Sequence, residues 1–288
     1  MIYLVDNNNK SIPSNLYKQA TIEDVVNYCK DKEVLGVDTE TEGFDFTCKK
    51  MIMFQIGDAV NQYVIDTRFV SIEPLRNILE SKTSIKILHN AKFDYKFIKA
   101  LSNIELECVY DTFLVERVLN CGKDGMKYGL KDLCANYLNI ELKKDVRNQF
   151  VGLTGQLYRD DQIIYGAKDV EYLCQIREYQ LPLIEKNKLE NVVNLENEAV
   201  LAFSDIEYNG LDLDQDKWKE LEDISRDLAN SLELELDEKV KEDVRLQKFV
   251  ADYIQADLFV SVEELRSINI KWTSPKQVLE VFKCIIPK

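Results

Sequence analysis

Two hydrophobic periodicities divide this chain. Over roughly its first 110 residues, short apolar runs alternate with polar turns and with segments of helical spacing. The runs "EVLGVDTE" (33–40), "MIMFQIGD" (51–58), "QYVID" (62–66), "SIKILH" (84–89) and "LECVYD" (106–111) predict strands. Between them, "TIEDVVNYC" (21–29) predicts a short capped helix, and "SIEPLRNILES" (71–81) a helix with Pro74 in its first turn. "NAKFDYKFIKAL" (90–101) predicts a helix capped by Asn90, with Phe93, Phe97, Ile98 and Leu101 on one face. Beyond this point the period is helical: "DTFLVERVLN", "GLKDLCANYL" and a long helix from about Asp161 through Glu178. Strands alternating with helices, then helices alone, predict an α/β layer followed by an α-helical part.

The texture changes after Pro182, which places a domain boundary near residue 185 and divides the chain into 1–185 and 186–288. "KLENVVNLENEAVLAFSDIEYNG" (188–210) predicts a long amphipathic helix stopped by Asn209-Gly210. Trp218, Leu221, Leu228, Leu232, Leu236 and Val240 then line one side of a second, highly charged helix. "SPKQVLEVF" (274–282) starts another, with Ser274 as cap and Pro275 at its first position.

Composition narrows the chemistry. The chain is 45% hydrophobic and 31% charged, an ordinary globular mixture, and no run approaches the length of a membrane span. The first ten residues do not read as a secretory signal. Seven scattered cysteines without a C-x-x-C fit a reducing, intracellular compartment. With His89 the only histidine, zinc sites and Ser-His-Asp chemistry are poorly supplied. A net charge of −14 argues against phosphate binding at first sight, yet a site that holds divalent cations must itself be acidic.

That site is suggested by the strand that ends in "VDTET". Residues i and i+2 of a strand share a face, so Asp38 and Glu40 lie side by side. A solvated strand end accounts for a lone D-x-E; partners change the reading. Asp94 falls in the first turn of the helix after "ILHN", where the helix dipole also favours a carboxylate. Asp169 follows Tyr165 by one helical turn, on the same face. Four carboxylates without a histidine or cysteine cluster make a hard, all-oxygen donor set, suited to Mg²⁺ or Mn²⁺. Two such ions about 4 Å apart stabilise the attacking and leaving oxygens of a phosphoryl displacement.

In order, "VDTET", "HNAKFDY" and "YGAKDVEYL" resemble the three exonuclease motifs of the DnaQ-like, or DEDD, 3′–5′ exonucleases, and the tyrosine resembles the DEDDy subgroup. The resemblance runs from about residue 30 to 180. It implies a ribonuclease H-like mixed sheet flanked by helices. It also implies hydrolysis from a 3′ end with two divalent metal ions, held by Asp38, Glu40, Asp94 and Asp169, while Tyr165 orients or helps deprotonate the attacking water. "LENEAVLAFSDIEYNGLDLD" and "WTSPKQVLEVF" resemble parts of the thumb of family A, bacterial DNA polymerase I-like, polymerases, with Val278 where that pattern has leucine. That branch implies a proofreading exonuclease with a partial thumb, phage or plasmid encoded, acting in the cytoplasm on single-stranded DNA or frayed 3′ ends. The chain stops at Lys288, before any palm or fingers, which leaves two readings open: a fragment or split gene product, with the missing polymerase portion as its partner, or a stand-alone exonuclease that retains part of a thumb.

Further residues fit substrate contact. Phe44 could stack on or wedge beside the terminal base, although a core phenylalanine is the favoured reading, and Asn90 stands next to the second motif. Lys143, Lys144 and Arg147 in "ELKKDVRNQF" suit a phosphate backbone or a solvated loop; Lys92 and Lys96 flank Asp94, with a solvating role favoured for Lys96. Gln55 in "MFQIG" packs beside the site. Two alternatives stay open: a ribonuclease D-like 3′–5′ exoribonuclease, and a catalytically silent nucleic-acid-binding module.

Overall fold

The computed structural model describes residues 1–6, 14–142, 149, 150, 153, 156–250 and 268–286. Seven strands form one sheet: β1 (Ile2–Val5), β2 (Lys18–Gln19), β3 (Val34–Thr41), β4 (Met51–Gly57), β5 (Gln62–Asp66), β6 (Ile85–Leu88) and β7 (Val109–Asp111), in the order β2-β1-β5-β4-β3-β6-β7. Strand β4 runs antiparallel to β3 and β5, and the remaining pairs are parallel. This is the mixed sheet that the sequence predicts, with β3 near its centre. The edge pair β1–β2 is an addition. "IYLV" is too short to carry a period, and it becomes a strand by pairing with β5, from Ile2 opposite Gln62 to Val5 opposite Ile65.

The helices are α1 (Ile22–Cys29), α2 (Arg76–Leu79), α3 (Ala91–Ser102), α4 (Thr112–Leu119), α5 (Leu130–Leu133), α6 (Asp160–Asn187), α7 (Glu190–Asn209), α8 (Gln215–Glu242) and α9 (Pro275–Ile285). Thr21 caps α1 through a capping box with Asp24. The helix expected over 71–81 is shorter, a 3₁₀ turn from Glu73 to Leu75 followed by α2, and "GLKDLCANYL" divides into α5 and a π-helical stretch, Cys134–Leu138. Helix α6 runs past Glu178 and through Pro182. Its extension is anchored by Gln180, whose Nε2 donates to Thr112 O and Glu116 Oε2, while its Oε1 accepts from Tyr110 Oη.

Strand period sorts the residues of β3 onto two faces. Leu35 and Val37 join the larger core with Phe54, Ile56, and Tyr95, Phe97 and Ile98 of α3. Gly36, Asp38 and Glu40 therefore take the opposite face. There α6 lies close enough that a Cβ on Gly36 would stand 2.8 Å from Val170 O and one on Gly166 would stand 2.5 Å from Gln55 Nε2. Gly36 is needed because the α6 backbone comes closer than a Cβ allows, and Gly166 leaves room for the Gln55 side chain.

The chain divides into two compact units, Met1–Gly210 and Leu211–Lys288, so the division falls 25 residues beyond the expected one at 185. The reason is α7, which packs on α3, α4 and β7. Asn197 Oδ1 accepts from Asp111 N at 2.9 Å, Asp205 pairs with Lys99, and Glu207 with Lys92 and Lys96. Amphipathic texture alone does not reveal which neighbour a helix packs on. In the second unit Val240, Leu246, Ile268, Ile270 and Val281 form a small core, and Trp272 Nε1 donates to Asp237 Oδ1 at 2.7 Å. Of the stripe read along α8, only Val240 enters that core.

Asn197 is buried, and removing its acceptor leaves the Asp111 N–H unpaired. Asn197→Ala is expected to lower the unfolding free energy by about 1–3 kcal/mol in urea titrations. An unchanged midpoint and slope would remove this bond as the tie between α7 and the sheet.

Candidate active site

Three carboxylates converge where β3 meets α6. Asp38, Glu40 and Asp169 each present an oxygen, all within 4.8 Å of one another; Asp38 is half-buried and the other two are buried. The strand contributes two through its period of two. The helix contributes the third because Gly36 and Gly166 let it settle on the sheet.

The approach of α6 is fastened at its N-terminal end. Arg68 pairs with Asp66 at 2.7 Å, its guanidinium covers the Tyr158 ring at 4.1 Å, and Tyr158 Oη donates to Ile52 O at 2.7 Å. Tyr17 Oη donates to Asp160 Oδ1 at 3.1 Å, in the first turn of α6. Tyr165 is half-buried, with its ring centroid 6.2 Å from that of Phe150.

Asp94 arrives from the other face. Thr39, between Asp38 and Glu40, points toward α3, and its Oγ1 donates to Asp94 Oδ1 at 2.5 Å. Asp94 is 3% exposed, and burial holds its carboxyl well above the ordinary carboxylate range. The charge of Asp38 adds to this, and the Thr39 hydroxyl opposes it. Asp94 lies outside the group of three yet near enough to feel Asp38. The sequence reading overlooked Thr39, whose signal was its place between two carboxylates on the opposite strand face.

Asp111 is a second residue that the motifs missed. Its carboxylate accepts from the backbone N–H groups of Asn90 and Ala91 at 2.9 and 2.8 Å, and from Phe113 and Leu114 at 2.9 and 3.4 Å. One side chain thus serves the starts of α3 and α4 together. Burial raises its pKa and the four donors oppose the rise. The "YDT" at a strand-to-helix junction was its sequence signal.

The other expected contacts separate. Asn90 occupies the N-cap position of α3, but in the left-handed region (φ 65°) and without a capping side chain; Asp111 takes that role. Phe44 is 79% exposed, not a core residue, and meets Phe93 edge-on at 6.3 Å. Lys92 and Lys96 both pair with Glu207, which limits them as phosphate ligands. Lys143, Lys144 and Arg147 lie outside the described residues. His89 Nδ1 stands 3.0 Å from Thr112 Oγ1.

An all-carboxylate group at this spacing fits a hard divalent cation and offers no soft donor to zinc or copper.

A family model described as 3′–5′ exonuclease matches residues 13–185. No match is found among curated proteins. Among solved structures, Brucella melitensis NrnC bound to pGG aligns with a TM-score of 0.60 at 18% identity, covering 73% of this chain and 94% of that one. Escherichia coli RNase D, an exoribonuclease involved in structured RNA processing, aligns at 0.60 and 19% identity, covering 77% of this chain and 55% of that one. The catalytic core of RRP6 from Trypanosoma brucei aligns at 0.54 and 15%, covering 70% and 52%. At these identities the likeness is one of fold, the ribonuclease H-like arrangement expected from the motifs.

The raised pKa of Asp94 has a sign that can be measured. Its stabilising contribution is full below the unfolded carboxylate value, about 3.8, and is lost as pH rises through the higher folded value. In excess chelator, Asp94→Asn should therefore gain melting temperature relative to the parent as pH is raised from 5 to 8. Parallel thermal melts with the same pH slope in both proteins would contradict the assignment.

Proposed function

Since this chain belongs to the 3′–5′ exonuclease family, we propose that Asp38, Glu40, Asp94 and Asp169 are its metal ligands and that single-stranded or frayed DNA 3′ ends are its substrate. The observation that carries the site is the convergence of three carboxylates from two elements 130 residues apart in sequence. Like charges gathered in a half-buried place repel one another unless a cation offsets them.

The reaction forms a bond from a water oxygen to the terminal phosphorus and breaks the bond from phosphorus to the 3′ oxygen of the preceding nucleotide. Two divalent cations on these carboxylates would lower the pKa of the attacking water and neutralise the charge that develops on the leaving oxygen. Asp38, Glu40 and Asp169 bind and space the cations. Thr39 holds Asp94 by its hydroxyl, so that the fourth carboxylate enters at the end of β3. Tyr165, one turn before Asp169, orients the water through its hydroxyl; a free phenol with a pKa near ~10 is a poor base at neutral pH. Phe44, exposed beside Phe93, is placed to stack on an unpaired terminal base. A terminal nucleotide must leave its stack to reach buried carboxylates, which favours unpaired ends.

DNA is the preferred substrate because residues 195–214 and 272–282 resemble thumb segments of family A DNA polymerases. A second reading, short or single-stranded RNA, is favoured by the fold shared with RNase D and with NrnC, which was captured with pGG. Matched DNA and RNA oligomers with 3′ labels, in Mn²⁺ or Mg²⁺, separate the two. Release of a 5′ label first, or hydrolysis undiminished in excess chelator, would sink the exonuclease site as assigned.

Tyr165→Phe is expected to lower the single-turnover rate by about 10²–10³ while leaving metal affinity nearly intact. Asp169→Ala should lose both. If the phenylalanine variant cuts as fast as the parent, the tyrosine is a packing residue against Phe150.

A further inference from the structure

Gln55 is a buried amide with no evident structural duty. It lies in the middle of β4, is 0% exposed, and neither its Nε2 nor its Oε1 has a hydrogen-bond partner among the described residues. Buried side-chain amides are nearly always bonded, and leaving one unbonded costs about 1–3 kcal/mol. A hydrophobic residue of the same length would fit the same place without that cost.

Its surroundings indicate what it serves. Across the sheet, Gln55 is in register with Val64 on β5 and with Asp38 on β3. Directly opposed residues of an antiparallel pair share a face about 5 Å apart, so Asp38 is the polar group on that side. Above it lies α6 at Gly166, where an added Cβ would stand 2.5 Å from Gln55 Nε2 and 3.0 Å from Met53 Sδ. Asp169 follows Gly166 by three positions, and helical side chains lean toward the N-terminal turn, which brings its carboxylate over the Gly166 level. The carboxamide thus lies on the sheet face it shares with Asp38, against Met53 and beneath Gly166 of the helix that carries Asp169.

We propose that Gln55 is a positioning residue of the metal site, whose Nε2 donates to the Asp38–Asp169 carboxylate pair once cations draw those carboxylates together. The inference rests on the metal-site reading above. The amide suits the task because it is neutral: it donates to carboxylates without competing for their charge, as a lysine would. Gly166 belongs to the same device, since any side chain there would push the amide away. Outer groups that orient ligating carboxylates typically contribute 10–100-fold in metal affinity or activity.

The test uses the full chain and Mn²⁺ alone, by calorimetric titration, with thermal melts in chelator beside it. Gln55→Met removes the amide at similar volume. It is expected to keep or raise the metal-free melting temperature while weakening Mn²⁺ binding 10–100-fold. Gly166→Ala, which displaces the amide without deleting it, should weaken Mn²⁺ binding likewise, and in a Gln55→Ala background should cost no further affinity. Unchanged Mn²⁺ affinity in Gln55→Met overturns the role of Gln55, whatever the melting temperature does. Full additivity of the Gly166 and Gln55 effects also overturns it, since independent sites add. Asp38→Asn is the control. If it too leaves Mn²⁺ affinity unchanged, the metal-site reading itself fails and takes this inference with it.

Discussion

The close seating of α6 on the central strands is the constraint on which this structure depends. A 28-residue helix lies across β3 and β4 at a separation that only Gly36 and Gly166 permit. A side chain at Gly36 would meet the α6 backbone and carry Asp169 away from Asp38 and Glu40, whereas one at Gly166 would meet the end of the Gln55 side chain. The carboxylate cluster is therefore not a property of the acidic residues alone. It follows from two positions where the chain has no side chain, one on the strand and one on the helix. Repulsion within the cluster opposes this seating, and apolar contacts of Ile163, Ala167 and Val170 with the sheet side offset it.

A second constraint governs Asp94. Its helix begins in a left-handed turn at Asn90, and that turn is held by Asp111 from the end of β7. The backbone of Asp111 is in turn held by Asn197 of α7. The chain of contacts runs from α7 through Asp111 to the first turn of α3, and ends at Asp94 against Thr39. Each link is a hydrogen bond in a buried place, where a lost partner is expensive. This is why α7 belongs to the catalytic layer although its own sequence looks like the start of the helical part. Lys92 and Lys96 reinforce it from the surface through Glu207, and the buried Lys99 through Asp205. The Glu207 pairs matter for position more than for energy, because exposed ion pairs contribute little.

The net charge of −14 is compatible with a site that holds divalent cations, which must itself be acidic. On the proposed reading, a terminal nucleotide must leave its stack to reach these carboxylates, two of which are buried.

Much of this was legible from residue order alone. Strand period put Asp38 and Glu40 on one face and Thr39 on the other. Helical spacing put Tyr165 and Asp169 on one side of α6, and the motifs named the family in which such residues meet. Local rules of this kind work because each involves neighbours within one turn or one pleat. What one element could not reveal was its partner. The strand character of Ile2–Val5 came from the free edge of β5, and the continuation of α6 past Pro182 came from Gln180 bonding to α4 and β7. The left-handed start of α3 came from Asp111, twenty-one residues away from Asn90, and Phe44 proved exposed where a core place was expected. Gln55 is the sharpest case: its place beside the site was legible, but that its amide is buried without a partner among the described residues appears only once the helix above it is in place. Long-range pairing decides such matters because a buried donor or acceptor takes its meaning from whatever the fold brings within reach.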